Sequence, residues 1–445
     1  MQQGTIKVGF SRVCINARLG APMQGYYYSR KAKGILDDLY ATGVAFDNGQ
    51  QKVVMITTDL IHIKSAFSQV YREKISKELG LPIESIFLSG NHIHTGPLFG
   101  ESPSTGDKGY PVYQEYLGYL LCDCAKMALD DVKEAKLSYA VGEAKNISFI
   151  RRYYMKDGSV KTNPGIGNPN IVRPVSDPHE GVYLLKAERE NADDVYIVSF
   201  GTHADVIGGE YLSADWPGFV RSTLERTLYN VKCAFFTGFE GDVNHVDVSP
   251  IKGDWDIRGG YEFAKHMGHT VAGAVLQICG KTKPVEGNEI AFGFKTITVP
   301  SNQENDKLEE ARAIYAEYKR RADDKLDVGY QVPKGSIVRS VPEAVRILGL
   351  ENGPESYDFL MSAIRIGNVA FGGVPGEPFT EIGNRIRANS KYAMTVLCCC
   401  VNGGNTYYPT SEAYDQGGYE PEVSNLKKGA DNIIVAGLSD LLNSL

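Results

Sequence analysis

Ser85-Ile86-Phe87-Leu88-Ser89-Gly90-Asn91-His92-Ile93-His94-Thr95-Gly96-Pro97 is the stretch on which the reading of this chain turns. The run Ser85 to Ser89 has the length and apolar character of a buried strand. It passes through a glycine into a polar His-x-His segment, which a Gly-Pro pair then turns away. Upstream, Val53 to Thr58 reads as another buried strand. Between the two, Lys64 to Leu79 places Phe67, Val70, Tyr71, Ile75 and Leu79 on one helical stripe. Downstream, Val112 to Val132 is helical. The alternation continues with paired strands at Val182 to Ala187 and Val195 to Phe200, a helix at Phe219 to Leu228, a strand at Cys233 to Thr237 and a helix at Tyr261 to Ile278. Strands at Ile290 to Val299, Met361 to Ile366, Val369 to Val374 and Met394 to Val401 follow, and a last helix is expected at Ser424 to Leu442. Such alternation predicts an α/β fold of layered sheets and helices.

Four more strands run into polar turns in the same way. Val195 to Phe200 leads to Gly201-Thr202-His203, and Cys233 to Thr237 leads to Gly238-Phe239-Glu240-Gly241-Asp242-Val243-Asn244-His245. Val369 to Val374 leads to Pro375-Gly376-Glu377, and Met394 to Val401 leads to the turn Asn402 to Tyr407. In open α/β sheets, ligands bind beyond the carboxyl ends of the strands. Two histidines and a carboxylate from separate strand ends suit a catalytic zinc, which keeps one position open for water or substrate. The same residues also suit a plain hydrogen-bonding role, and their spacing does not separate the two.

Apolar residues make up 42% of the 445 and charged residues 23%, the balance of a folded globular chain. A net charge of −7 speaks against a nucleic-acid partner, which needs a basic face. No run approaches the roughly 18 apolar residues that span a bilayer. Met1 to Phe10 lacks the pattern of a leader peptide, so the expected setting is cytoplasmic, although a chain whose leader had been removed would read alike. The eight cysteines sit mostly in apolar segments and read as free buried thiols. Cys398, Cys399 and Cys400 are expected not to share an ion, because alternate residues of a strand face opposite ways. Asn302 to Gly353 is richer in charge. Within it Lys307 to Arg321 reads as an amphipathic helix, either of a solvated insertion or of a lid near Glu377.

These motifs together resemble the neutral ceramidases. Asn91 to Pro97 resembles their Thr-His-Thr-His-Ser-Gly-Pro segment, Gly241-Asp242-Val243 their Gly-Asp-Val, and Pro375-Gly376-Glu377 their Pro-Gly-Glu. Tyr407 and Tyr419 frame Thr410, Glu412, Tyr414 and Glu420 in the family's register. The resemblance runs from about Val8 to Glu420. It implies one catalytic domain over residues 1–445, with a charged helical insertion at about 302–353 and without the family's C-terminal immunoglobulin-like domain. It implies Zn2+ held by His92, His203, Glu377 and Tyr407, with His94 as a catalytic residue. Tyr419 corresponds to an active-site tyrosine suited to an oxyanion, and Arg151 to a substrate contact.

The expected activity is zinc-dependent hydrolysis of an amide or ester in a small-molecule substrate. Asn244 stands where the family has a serine, so the expected substrate is not ceramide itself. Asn244 joins Tyr419 as a candidate oxyanion donor, and Asp242 orients a ligand or caps its turn. Asp215 either lines the pocket or belongs to a helix opening at Pro217. His62, His179, His245, His266 and His269 read as structural or surface residues. Tyr26-Tyr27-Tyr28 and the Asn163 to Asn170 loop hint at a polar or sugar-like substrate. Two other functions fit the same residues: hydrolysis of a lactone or carbohydrate ester, and ligand binding without turnover.

Overall fold

A computed structural model describes residues 6–102, 105–323, 330–404 and 406–445. Residues 1–5 of the N-terminal stretch, 324–329 of the charged segment and 405 of the last polar turn lie outside the described residues. The first sheet contains Ile6–Cys14 (β1), Tyr40–Asp47 (β2), Lys52–Thr58 (β3), Ile86–Gly90 (β4), Lys133–Glu143 (β5), Gly181–Arg189 (β6), Asp194–Phe200 (β7) and Val231–Thr237 (β8). Their order is β8-β7-β6-β5-β1-β2-β3-β4, with the short Lys283–Pro284 strand added beside β5. The middle of the sheet is antiparallel, and only the outermost pairs, β3/β4 and β7/β8, are parallel. A second sheet is ordered Ile290–Pro300 (β9), Ser356–Ile366 (β10), Val369–Gly373 (β11), Met394–Cys398 (β12), and again its last pair is parallel.

Parallel neighbours need a crossover, and here each is a helix. Ser65–Leu79 (α1) joins β3 to β4, and Asp215–Thr227 (α3) joins β7 to β8. Thr380–Ala388 (α7) joins β11 to β12. Pro111–Asp130 (α2) and Tyr261–Ile278 (α4) complete the outer layer of the first sheet. Ala430–Ser444 (α9) lies with α7 over the second.

The layering follows from strands that are apolar on both faces. In β3, Val53 and Met55 point into a core shared with Ile364, Phe371 and Val396 of the second sheet. Val54 and Ile56, of opposite parity, pack on Leu117, Leu121 and Ala125 of α2. The result is helix, sheet, sheet, helix: the layered α/β architecture expected. Strands buried on both faces read as unbroken apolar runs, which is why they were visible in sequence.

Several boundaries differ from expectation. The stripe on α1 buries Tyr71 and Ile75 but leaves Val70 57% exposed. Helix α3 opens at Asp215, ahead of Pro217. Strand β12 stops at Cys398, and Cys400 takes a left-handed φ of 51°. That break brings Cys399 and Cys400 together near Glu240, while Cys398 faces the core between the sheets, so the three do not share one site. The last helix starts at Ala430, and a separate short helix, Tyr419–Val423 (α8), precedes it. The charged segment forms a pair, Leu308–Asp323 (α5) and Val341–Leu350 (α6), closed on a small core of Ala311, Ile314, Val338, Ala344 and Ile347. Among the described residues, no helix is long and apolar enough to cross a membrane.

Candidate metal centre

The three parallel pairs of the two main sheets direct their carboxyl ends to one place, as the switch-point rule requires. His92 follows β4, His203 follows β7, Glu240 follows β8, Glu377 follows β11 and Tyr407 follows β12. The loops are then sewn together by backbone. A parallel bridge links Ile93 to Ala204, and the His94 N–H donates to the Ala204 carbonyl at 3.1 Å. Glu377 and Tyr407 sit opposite one another in a short parallel pair. Two positions demand glycine. Gly376 has φ 95°, and a Cβ there would lie 2.6 Å from the Thr406 carbonyl oxygen. A Cβ on Gly241 would lie 2.3 Å from the Glu377 carbonyl oxygen. His92 itself carries φ 60°, a strained value for a non-glycine residue that its surroundings impose.

The side chains converge closely. His92 Nε2 and His203 Nε2 each lie 3.4 Å from Glu377 Oε2, and His203 Nε2 lies 3.3 Å from the Tyr407 hydroxyl. All are buried except Tyr407, which is partly so. Glu377 Oε2 has no hydrogen-bond partner among the described residues despite full enclosure. An orphaned buried carboxylate oxygen is costly, about 1–3 kcal/mol or more, so its setting calls for a cation. The separations match one. With metal–ligand bonds of about 2.0–2.1 Å, the edges of a tetrahedron are about 3.3–3.4 Å. The donor set fits a divalent metal such as zinc.

What lies behind His203 fixes the tautomer of its neutral ring. His203 Nδ1 is 2.6 Å from Glu240 Oε2 and 3.0 Å from two backbone carbonyls, so its proton belongs there and Nε2 is left as a lone pair. Trp216, fully buried between Phe200 and Phe235, donates its indole N–H to the His203 carbonyl at 3.1 Å. His92 Nδ1 faces Cys400 Sγ at 3.7 Å. Burial opposes charge on both histidines. The Glu377 and Glu240 carboxylates outweigh it at His92, and Glu240 does so at His203, so both rings bind protons more tightly than free imidazole. Burial likewise opposes charge on Glu377, but His92 and His203 hold it ionised far below the usual carboxylate range.

His94 is brought in beside them, its Nε2 3.2 Å from His92 Nε2 and its Nδ1 3.6 Å from Asp205 Oδ1. Burial lowers its pKa to about 4 against the pull of Asp205. With His92 and His203 it also forms a second group of donors that could hold an ion. Arg151 reaches the centre too. Its Nη1 is 3.2 Å from His203 Nε2, while Nε donates to Glu420 Oε1 at 2.6 Å and Nη2 to the Gly241 carbonyl at 2.8 Å. The Tyr419 hydroxyl lies 2.8 Å from that of Tyr27, and its ring packs edge-on to Tyr407. A cleft of about 450 Å3 opens over His92, His94, Glu377, Tyr407 and Tyr419.

Three sequence candidates lie elsewhere. The Asp242 carboxylate caps α7, accepting from the Thr380 N–H at 2.7 Å and its hydroxyl at 3.1 Å, so it orients the Glu377 loop rather than meeting the imidazoles. The Asn244 amide donates to Asn163 Oδ1 and its carbonyl accepts the Val246 N–H, which occupies the side chain in its own turn. Asp215 is spent on the N–H groups of Val206, Ile207 and Trp216 and helps aim the strand-end loop that follows β7. Conversely, Glu240, Asp205 and Glu420 hold the site together but had no role assigned from sequence. Glu240 stands in a quoted strand-end turn, and its position was the only signal. Of the structural or surface roles read for His62, the surface one is excluded: it is buried and lines the cleft, with Nε2 3.2 Å from Gln24 Nε2.

No protein-family model and no curated protein matches the chain by sequence. Solved structures do match by shape. The neutral ceramidase of Pseudomonas aeruginosa superposes with a TM-score of 0.75 at 16% identity, covering 98% of this chain and 74% of that one. A ceramidase complexed with C2 gives 0.72 at 16% identity, covering 98% and 75%. The chain thus has a ceramidase-like α/β fold, with a cluster of buried histidines and carboxylates that could hold a metal ion where the parallel strand pairs of its two main sheets end.

Proposed function

We propose that this chain is a zinc-dependent hydrolase of an amide or ester bond, with His92, His203, Glu377 and Tyr407 as the metal ligands. The observation that carries the reading is the orphaned Glu377 oxygen, set at tetrahedral-edge distance from two imidazole nitrogens. A zinc ion so held lowers the pKa of water from about 15.7 to near 7 and polarises a carbonyl oxygen.

The protein's own groups supply the rest. His94, kept neutral by burial, accepts the proton lost by the attacking water at Nε2 and returns it to the departing amine or alcohol. Asp205, on its Nδ1 side, steadies the ring and its transient charge. Tyr419 donates its hydroxyl proton to the oxygen that gains charge as the carbonyl becomes tetrahedral. Burial lifts its pKa well above the ordinary phenol value, so that proton stays in place. Arg151, anchored on Glu420, adds positive charge beside the same oxygen. None of these steps needs a serine, so Asn244 is no obstacle to hydrolysis by water. The known neighbours are named as ceramidases, but the tyrosines and charged groups around this cleft favour a more polar substrate.

The test is turnover by the zinc-loaded chain on paired N-acyl amides and O-acyl esters. Hydrolysis of either class that falls at least 100-fold in His94→Ala is the expected result. Full zinc occupancy without turnover of any member would make the chain a binding protein instead.

A further inference from the structure

The charged helical pair α5/α6 does more than meet water. Between it and the body of the protein lies a second cavity of about 320 Å3. Tyr315 and Tyr318, one turn apart on α5, form one wall, Tyr330 another, and Tyr27 closes the side toward the cleft. Tyr27 lines both spaces, and its hydroxyl contacts that of Tyr419. The pair is also fastened to the element that carries Tyr419. Ser340 donates its hydroxyl to Glu422 at 2.9 Å, and Arg346 donates to the Glu422 carbonyl at 2.7 Å, both on α8.

We propose that this cavity is a specificity subsite for a hydroxylated ring, a sugar or sugar-like group, belonging to the molecule cleaved at the histidine cluster. The proposal rests on the hydrolase reading for its link to cleavage, but not for binding. Its argument is the chemistry of the walls. Four tyrosine rings offer apolar faces, and besides Tyr27, whose hydroxyl already meets that of Tyr419, three of them carry a hydroxyl that requires a polar partner when covered. Arg339 and Gln331 add donors at the rim. A sugar ring satisfies both demands, with C–H faces for the rings and hydroxyls for the donors. A fatty chain would cover those hydroxyls without pairing them, at a cost of about 1–3 kcal/mol each. The volume sits at the low end of small-molecule sites, about 300–1,000 Å3, enough for one ring and its substituents. Arg321, 5.0 Å from the Tyr330 ring centre, holds one wall in place.

The experiment is ligand-observed NMR on the full chain with a panel of methyl hexopyranosides, N-acetylated forms included, and with octanoate for contrast. It uses wild type, Tyr318→Phe, Val345→Trp to fill the cavity, and Glu377→Gln. At least one glycoside is expected to bind. Val345→Trp should weaken it at least tenfold, while Tyr318→Phe, which keeps the ring but removes one hydroxyl partner, should weaken it about two- to tenfold and Glu377→Gln not at all. In a second arm, an acyl ester of that glycoside should be hydrolysed at least tenfold more efficiently than the matching ethyl ester, and Val345→Trp should abolish only this advantage. The proposal is overturned if no glycoside binds, if octanoate is the ligand displaced by Val345→Trp, or if glycoside binding depends on Glu377 and not on the cavity. Because the binding arm needs no turnover, its failure is separate from failure of the hydrolase reading.

Discussion

Two buried polar clusters flank the turn after β4, and they are built on opposite principles. In one, Arg221 forks onto Asp59 at 2.8 and 2.5 Å, Asn91 donates to Asp59 at 3.2 Å, and the Tyr40 N–H donates to it at 2.9 Å. Thr57 and Thr237 tie down Asn91 in turn. Donors meet acceptors throughout, so the cluster is complete within the protein. In the other, one residue further on, Glu377 Oε2 lies 3.4 Å from both His92 Nε2 and His203 Nε2 and has no hydrogen-bond partner among the described residues. Protein side chains alone leave that carboxylate oxygen unsatisfied. The difference teaches where to look for function, since burial and charge are common to both and only the second calls for something from outside.

The comparison can be broken in order of effect. Arg221→Met strands the Asp59 charge and should cost about 3–5 kcal/mol of unfolding free energy in urea, because breaking one side of a buried pair leaves the other uncompensated. The folded variant should still bind zinc; loss of zinc binding would mean that the two clusters are not independent. Tyr419→Phe removes one donor to the developing oxyanion and should lower kcat about 100- to 1,000-fold with KM little changed. A rise in KM alone would make Tyr419 a substrate contact. Glu240→Gln weakens the acceptor behind His203 and should loosen zinc about 10- to 100-fold, measured by competition with a chelator, with the fold intact. An unchanged affinity would leave Glu240 a structural residue.

Much of this was legible because chemistry and topology coincide. His92, His203 and Glu377 each follow an apolar run and a glycine-containing turn, and helix α4 ends where periodicity places its ends, Tyr261–Ile278. What stayed hidden depends on partners distant in sequence. Nothing around Glu240 reveals that its carboxylate meets His203, 37 residues away. Asp242 reads in sequence as a ligand-orienting acceptor and Asn244 as an oxyanion donor, but Asp242 accepts from Thr380 and Asn244 donates to Asn163. Val70 completes an apolar stripe in sequence, yet it lies off the buried face of α1 formed by Ser68, Tyr71, Arg72 and Ile75 and remains exposed. The approach of Cys399 and Cys400 to Glu240 stayed hidden for a local reason: alternation ends with the strand at Cys398.

The most direct test is the metal content of the purified chain and of Glu377→Gln, measured after zinc loading and removal of excess metal. The account predicts about one zinc per wild-type chain and none retained by a folded Glu377→Gln. Wild type that holds no zinc, or a variant that holds as much as wild type, would contradict it.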